Sequence, residues 1–295
     1  MTAPEHVAFV GLGAMGGPMA ANLVAAGQQV VGFDMAASAL ERLQKAGGTR
    51  AESAAAAARG AHTLILMVVN SDQAEAVLFD GGALETLPKE ATVVLMATCL
   101  PGAARDIAER VLASGRGFLD APVSGGVVGA RAGSLTIMAA GSDDDFTRVA
   151  PLFNLLGERV FRVGDQPGQG AVAKAVNQLL CGVHLAAAGE AMSLAENMGL
   201  DTATMLEIVS GSAASSWMLR DRGPRMIADP DEVTSAVDIF TKDLGIVLSV
   251  GREAQTALPL SAAAHQMFLA GSGRGEGKLD DSQVIRSYRA LSRRS

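Results

Sequence analysis

Aromatic residues are scarce in this sequence: Phe, Trp and Tyr make up 4% of 295 residues, with one Trp and one Tyr. Its core must therefore rest on aliphatic side chains. There are two cysteines, Cys99 and Cys181, too few for a disulfide framework and without zinc-ligand spacing. That usage fits a reducing cytosol. The four histidines, His6, His62, His184 and His265, form no pair at metal-ligand spacing, so no metal is expected. Basic residues are outnumbered, 24 Lys and Arg against 31 Asp and Glu, for a net charge of −7. A phosphate backbone demands a basic footprint, so nucleic acid is excluded as a partner. The Arg293-Arg294 pair is too short to change this. Apolar runs are short and broken by Gly or charge, so no membrane span is expected. The N-terminus lacks a charged region ahead of an apolar stretch, which argues against a signal peptide and for a cytoplasmic protein. A serine hydrolase is disfavoured because no G-x-S-x-G elbow is present.

What is present is a globular composition, 49% hydrophobic and 19% charged. The length suggests two domains. Glycine is abundant, at 34 residues without a collagen-like period, which implies many tight turns or close backbone approaches.

The first half alternates strand and helix signals. Strands are predicted over 6–10, 28–34, 62–69, 91–96, 117–121, 135–140 and 159–163. Helices are predicted over 15–26, 36–46, 103–114 and 143–156. Alternation of this kind implies a mostly parallel sheet covered by helices, an α/β domain spanning 1–164. The pattern changes at Gly164-Asp165-Gln166-Pro167-Gly168. Beyond it only helices are predicted, over 171–198, 201–210, 236–252, 260–269 and 280–291. Residues 165–295 thus read as an all-α domain led by one unusually long helix. Pro259 suits the first position of a helix. The cluster Gly271, Gly273, Gly275 and Gly277 reads as a flexible loop. Charge does not separate the halves, at −4 (12 basic, 16 acidic) and −3 (12 basic, 15 acidic).

Gly11-Leu12-Gly13-Ala14-Met15-Gly16 matches G-x-G-x-x-G after the first strand and at the start of the first helix. That context makes it a dinucleotide-binding turn. Gly11 permits the turn, Gly13 lets backbone approach a pyrophosphate, and Gly16 lets helix and strand pack closely. The pyrophosphate would meet the positive end of the helix. Asp34 ends the second strand, 18 residues after Gly16, where a carboxylate bonds the ribose hydroxyls. It would repel a 2′-phosphate, and neither Phe33 nor Met35 is an arginine that could pair with one. NAD is therefore expected over NADP.

The longer run Gly11–Leu23 resembles the N-terminal signature of the β-hydroxyacid dehydrogenase family, which includes the 3-hydroxyisobutyrate dehydrogenases and tartronate semialdehyde reductases. Three further blocks are similar to that family's in the same order. They are Asp120-Ala-Pro-Val-Ser-Gly-Gly126, Gly168-Gln-Gly-Ala-Val-Ala-Lys-Ala-Val-Asn-Gln178 and Lys242-Asp243-Leu244. The resemblance implies a Rossmann-type N-terminal domain, a long interdomain helix and a helical C-terminal domain serving substrate binding and oligomerisation. It implies oxidation of a hydroxyl β to a carboxylate, with hydride passing from the carbon that bears it to the nicotinamide of NAD, or the reverse reduction.

Alcohol oxidation needs a group that accepts the hydroxyl proton as hydride leaves. The resemblance gives this role to Lys174. Helical spacing places Asn177 on the same face, with Gln178 and Cys181 continuing it; Asn177 would orient the hydroxyl or the lysine. A closed cleft and the positive nicotinamide ring would both favour the neutral amine. The rival reading is a surface lysine. Ser124, Gly125 and Gly126 would anchor the substrate carboxylate through backbone N–H groups and a hydroxyl; the rival reading is a turn without a ligand. By resemblance Lys242 lies on the nicotinamide side, against a plain salt bridge in the helical domain. Asp243 reads as structural, pairing a cation or capping. Thr98 should contact the cofactor near its ribose or nicotinamide, and Ala97 stands where the family commonly has a serine. Asn70, near another strand's carboxyl end, is a further cofactor candidate. Neither cysteine is given a catalytic role.

The segment Ser212–Arg222 holds Trp217. Together with Asp280-Asp-Ser-Gln-Val-Ile285, it resembles the subgroup acting on four-carbon sugar acids, the L-threonate type. Ser215, Ser216 and Arg220 could supply hydrogen bonds to such a substrate, and Trp217 could either contact it or pack between domains. The resemblance thus implies NAD-dependent oxidation of a small 3-hydroxy acid such as L-threonate. Tartronate semialdehyde reduction and 3-hydroxyisobutyrate oxidation are the alternatives. A non-enzymatic, cofactor-binding scaffold would not need Lys174. A homodimer or homotetramer is expected, because an apolar long-helix domain buries a face against a second subunit.

Overall fold

The computed structural model describes residues 5–228, 230 and 232–292. The chain divides into two compact units between Lys174 and Ala175. The composition change at 164–168 lies ahead of that point.

The first unit contains β1 (His6–Val10), α1 (Gly16–Ala25), β2 (Gln29–Phe33), α2 (Ala37–Lys45), β3 (Thr49–Arg50), α3 (Ala54–Ala58) and β4 (Thr63–Leu66). Next come α4 (Ser71–Glu75), which runs on as a wider π turn over Ala76–Asp80, then α5 (Ala83–Thr86), β5 (Thr92–Leu95) and α6 (Pro101–Ala113). It is completed by β6 (Gly117–Asp120), β7 (Val123–Ser124), α7 (Gly126–Ala132), β8 (Thr136–Gly141), α8 (Asp143–Leu156) and β9 (Arg159–Gly164). The sheet order is β3-β2-β1-β4-β5-β6-β8-β7, with β9 on β8. Pairings from β3 through β6 are parallel, whereas β8 runs antiparallel to β6 and β7. The sheet is mostly parallel, as its alternating elements require.

Period-two alternation divides the strand side chains between two apolar layers. Ala8, Val10, Leu64, Leu66, Val93 and Leu95 pack with alanines of α3 and with Ile107 and Val111 of α6. Val7, Phe9, Ile65 and Val94 pack with Met19 and Leu23 of α1 and with Leu152 and Phe153 of α8. With both faces covered, β4 and β5 are buried along their whole length, which is why they read as unbroken apolar runs.

α9 (Gln169–Asn197) leads into the second unit, which contains α10 (Thr202–Ser210), α11 (Trp217–Ile227), α12 (Val237–Glu253), α13 (Pro259–Gly271) and α14 (Ile285–Ser292). Its core gathers Leu185, Met192, Leu244 and Ile285 around Phe240 and Phe268, whose rings stack 5.2 Å apart. Pro259 opens α13 as expected. Among the described residues every named strand lies within the first unit.

Several expectations need correcting. The glycine cluster 271–277 is not an open loop. Ser272–Glu276 winds as a π turn with Gly275 at φ +81°, tied down by hydrogen bonds from Ser272 to Asp238 and from Arg274 to Ser287. The predicted helix 280–291 splits into a 3-10 turn over Asp281–Val284 and α14. α11 was not foreseen, because Gly223 and Pro224 interrupt its pattern. The short elements β3, α3, α4, α5 and β7 lie in segments that read as connections. The expectation of no membrane span is not overturned: α9 is long and apolar enough by length and composition, but a core helix passes the same test, and 44% of its apolar window is buried within the protein.

Candidate active site

Strand order places β1 beside β4, the point where the sheet reverses direction of growth. In such sheets ligands bind beyond the carboxyl ends of the strands at that switch. The turn after β1 is built for close approach. Gly11 has φ +92°, and a side chain there would collide with the Met67 carbonyl oxygen beyond β4. A side chain at Gly16 would collide with the Gly11 carbonyl oxygen and touch the Phe9 ring. Gly13 differs, since a Cβ there would meet nothing within 4 Å. Protein packing explains Gly11 and Gly16, whereas the bareness of Gly13 leaves room for a ligand. The start of α1 has no side-chain cap and no acidic residue in its first turn, so its positive end stays open to an anion. These residues fit a dinucleotide.

Asp34 follows β2. Its Oδ2 accepts a hydrogen bond from the Leu12 N–H at 2.7 Å and its Oδ1 one from the Ala36 N–H at 2.8 Å. It therefore also holds the glycine turn. A carboxylate has about four acceptor sites, which leaves capacity for ribose hydroxyls. Met35 beside it is 95% exposed and supplies no cation. Asn70 caps α4 by accepting from the Gln73 N–H at 2.9 Å. Thr98 is half-buried. Ala97, the position where the family commonly has serine, sits in the apolar layer under α6.

Ser124 ends β7, and Gly125 and Gly126 take φ values of +123° and +60° as α7 begins. The half-buried Ser124 and two bare residues form a turn suited to an acid group. Lys174 lies on α9 and is 6% exposed, so it is not a surface lysine. Asn177 follows on the same helix face, with the Cys181 thiol 3.7 Å from its Oδ1.

Upstream, Asp120 at the end of β6 is 1% exposed. Its Oδ2 accepts from the Gly168 N–H at 3.0 Å and the Ala171 N–H at 2.8 Å. Burial pushes this carboxyl up to about 6, opposed by hydrogen bonds from the backbone of Ala171, Gly168 and Gly170. Sequence reasoning gave Asp120 no role, because its partners are remote in the chain.

In the second unit Lys242 Nζ pairs with Asp243 Oδ1 at 2.6 Å, and Gln178 Nε2 donates to Asp243 Oδ2 at 2.5 Å. Asp243 pairs a cation, as expected, and Lys242 makes the salt bridge that was its rival reading. Trp217 opens α11 and is 46% exposed. Ser216 caps that helix by accepting from the Leu219 N–H, and Arg220 donates to Ser215 at 2.7 Å. Arg222, unnoticed in the sequence, lies 5.8 Å from the Trp217 ring and donates to both oxygens of buried Asp281. Arg225 joins Asp280 at 3.2 Å. The Asp280-Asp281 pair thus anchors α11. Among the described residues no cluster of His, Cys, Asp or Glu could hold a metal.

Comparison with known proteins agrees with the fold. Residues 6–164 match the family described as the NAD-binding domain of 6-phosphogluconate dehydrogenase. Residues 168–288 match the NAD-binding domain of NADP-dependent 3-hydroxyisobutyrate dehydrogenase. The chain is 39% identical to the L-threonate dehydrogenase of Cupriavidus necator over 285 residues, 96% of each chain. It is 36% identical to the 3-hydroxyisobutyrate dehydrogenase of Pseudomonas aeruginosa, covering 96% of this chain and 98% of that one. A solved structure described as 3-hydroxyisobutyrate dehydrogenase from Salmonella typhimurium superposes with a TM-score of 0.92 at 39% identity, covering 96% of this chain and 99% of that one. With fold, glycine turn and relatives in agreement over nearly its whole length, the chain belongs to the β-hydroxyacid dehydrogenase family, among the relatives of 3-hydroxyisobutyrate dehydrogenase.

Proposed function

We propose that the chain oxidises a small 3-hydroxy acid with NAD, and that a four-carbon sugar acid of the L-threonate type is its substrate. The observation that carries this reading is the burial of Lys174, at 6% exposure, on the helix face it shares with Asn177. General acid–base chemistry needs a side chain held in one place within reach of the hydroxyl, and a buried lysine on a helix meets that need. The substrate class rests on the L-threonate dehydrogenases among the relatives.

NAD, when bound, supplies the hydride acceptor, and the Gly11–Gly16 turn, Asp34, Asn70, Thr98 and Lys242 would hold it. The chain's own groups do the rest. Ser124, Gly125 and Gly126 bind the acid end of the substrate. Asn177 orients the hydroxyl. The Lys174 amine accepts the hydroxyl proton during oxidation, and the ammonium returns it during reduction. Residues 1–164 would carry most of the cofactor contacts and the acid-binding turn, and residues 165–295 would carry Lys174, Asn177, Lys242 and the assembly face.

A panel of hydroxy acids assayed with NAD and with NADP tests this reading through NADH or NADPH absorbance. Turnover of L-threonate with NAD is expected. Intact NAD binding without turnover of any acid would favour a scaffold, and a preference for NADP would overturn the role of Asp34.

The enzyme works in the cytoplasm as a homodimer or homotetramer. Support for assembly comes from α9, where Val176, Leu180, Leu194 and Met198 are each at least half exposed. A groove of about 560 Å³, lined by Leu194, Leu260, Met267, Tyr288 and Leu291, continues this apolar surface. Light scattering should give a dimer or tetramer mass, and Leu194→Asp should lower it. A monomer at micromolar concentration would refute this assignment.

A further inference from the structure

Asp120 is a buried carboxylate that the proposed chemistry does not use. It ends β6, and its Oδ2 receives N–H groups of Gly168 and Ala171 at the start of α9. The backbone around it is fitted tightly. A Cβ on Gly170 would stand 2.5 Å from the Asp120 carbonyl oxygen and 2.7 Å from that of Met138. The first turn of α9 therefore rests directly on the ends of β6 and β8. Gly168, at φ +93°, would bring a Cβ to 3.0 Å from the Pro101 carbonyl oxygen. Lys174 stands on the next turn of the same helix. On the other side of Asp120 the chain passes through Ala121, Pro122 and Val123 into Ser124. One side chain thus sits at the root of both the lysine helix and the candidate acid-binding turn.

From this juxtaposition we infer that Asp120 is a positioning residue, which sets the depth and rotation of Lys174 through the first turn of α9. The inference rests on Lys174 being the proton-transferring group. A helix turns about 100° per residue, so a slip of its first turn carries a side chain one turn on to a different direction. Proton transfer requires heavy atoms within about 2.6–3.2 Å, and a misplacement of about 1 Å can cost about 100-fold in rate. Charge-assisted bonds from the N–H groups at the positive end of α9 make Asp120 a stiff anchor.

The test compares Asp120→Ala, Asp120→Asn and Gly170→Ala with the wild-type enzyme. Asn keeps an oxygen for the N–H groups, and Gly170→Ala displaces the same turn without touching the carboxylate. Three quantities are measured: kcat, the dissociation constant of NADH, and the rate at which an amine-reactive reagent labels Lys174, read by peptide mass spectrometry. Asp120→Ala and Gly170→Ala should lower kcat by about tenfold to 100-fold and speed labelling of Lys174, with NADH affinity within about twofold of wild type. Asp120→Asn should restore most of kcat and the slow labelling. The inference is overturned if Asp120→Ala keeps wild-type kcat and labelling, or if Asp120→Asn rescues neither quantity while NADH binding falls in parallel. Labelling is independent of turnover. An enzyme that oxidises no acid but shows the labelling pattern would refute the proposed reaction and keep the anchor.

Discussion

At the scale of single residues, the glycines of the first turn do different work, and substitution separates them. Gly16→Ala forces a methyl into the Gly11 carbonyl oxygen. It should lower the melting temperature and abolish NADH binding together. Gly13→Ala points a methyl into space that holds no protein atom within 4 Å. It should leave the melting temperature unchanged and weaken NADH binding by about tenfold or more, the cost of a lost close contact to phosphate. Thermal melts and NADH titration of both variants check this, and equal loss of stability would contradict it. The glycine spacing was legible in the sequence because backbone geometry writes itself as missing side chains. Asp120 was not, because its partners at Gly168 and Ala171 are brought to it only by the fold. Its carboxyl, raised from 3.8 to about 6 by burial, keeps its proton where the unfolded chain has lost it. The stability this contributes is complete below pH 3.8 and is lost as pH rises through about 6. Urea unfolding across that window should show wild type losing stability relative to Asp120→Asn. Parallel curves would contradict the assignment.

At the scale of elements, the strands and long helices could be read from periodicity, since each buries one face or both. β1, β4 and β5 divide their side chains between two apolar layers as alternation predicts. α11 could not be read that way. It has Pro224 inside it, and side-chain chemistry holds it as much as apolar burial does: Ser216 caps its start, and Arg222 and Arg225 bind Asp281 and Asp280. Those acids were visible in the sequence as a resemblance to sugar-acid enzymes, without their partners. Truncating Arg222 leaves the fully buried Asp281 carboxylate without its bidentate partner. Arg222→Ala should therefore destabilise the protein by about 3–5 kcal/mol in urea unfolding. A loss below about 1 kcal/mol, the range of an exposed pair, would show that the network is not what fixes α11.

At the scale of the whole molecule, the chain divides into two compact units, one α/β and one helical. In the first unit the glycine turn follows β1, Asp34 follows β2, Thr98 lies between β5 and α6, and Ser124 ends β7. The glycine cluster near the end shows the limit of composition as a guide. Glycine there permits a wound turn packed on Asp238 rather than an open loop. In the proposed function a buried lysine on α9 moves the proton in an NAD-dependent oxidation. The most direct measurement is the kcat of Lys174→Ala on L-threonate, taken beside its NADH dissociation constant. A fall in kcat of about 10²–10⁴ with NADH affinity unchanged is expected. Near-wild-type turnover by that variant would contradict it.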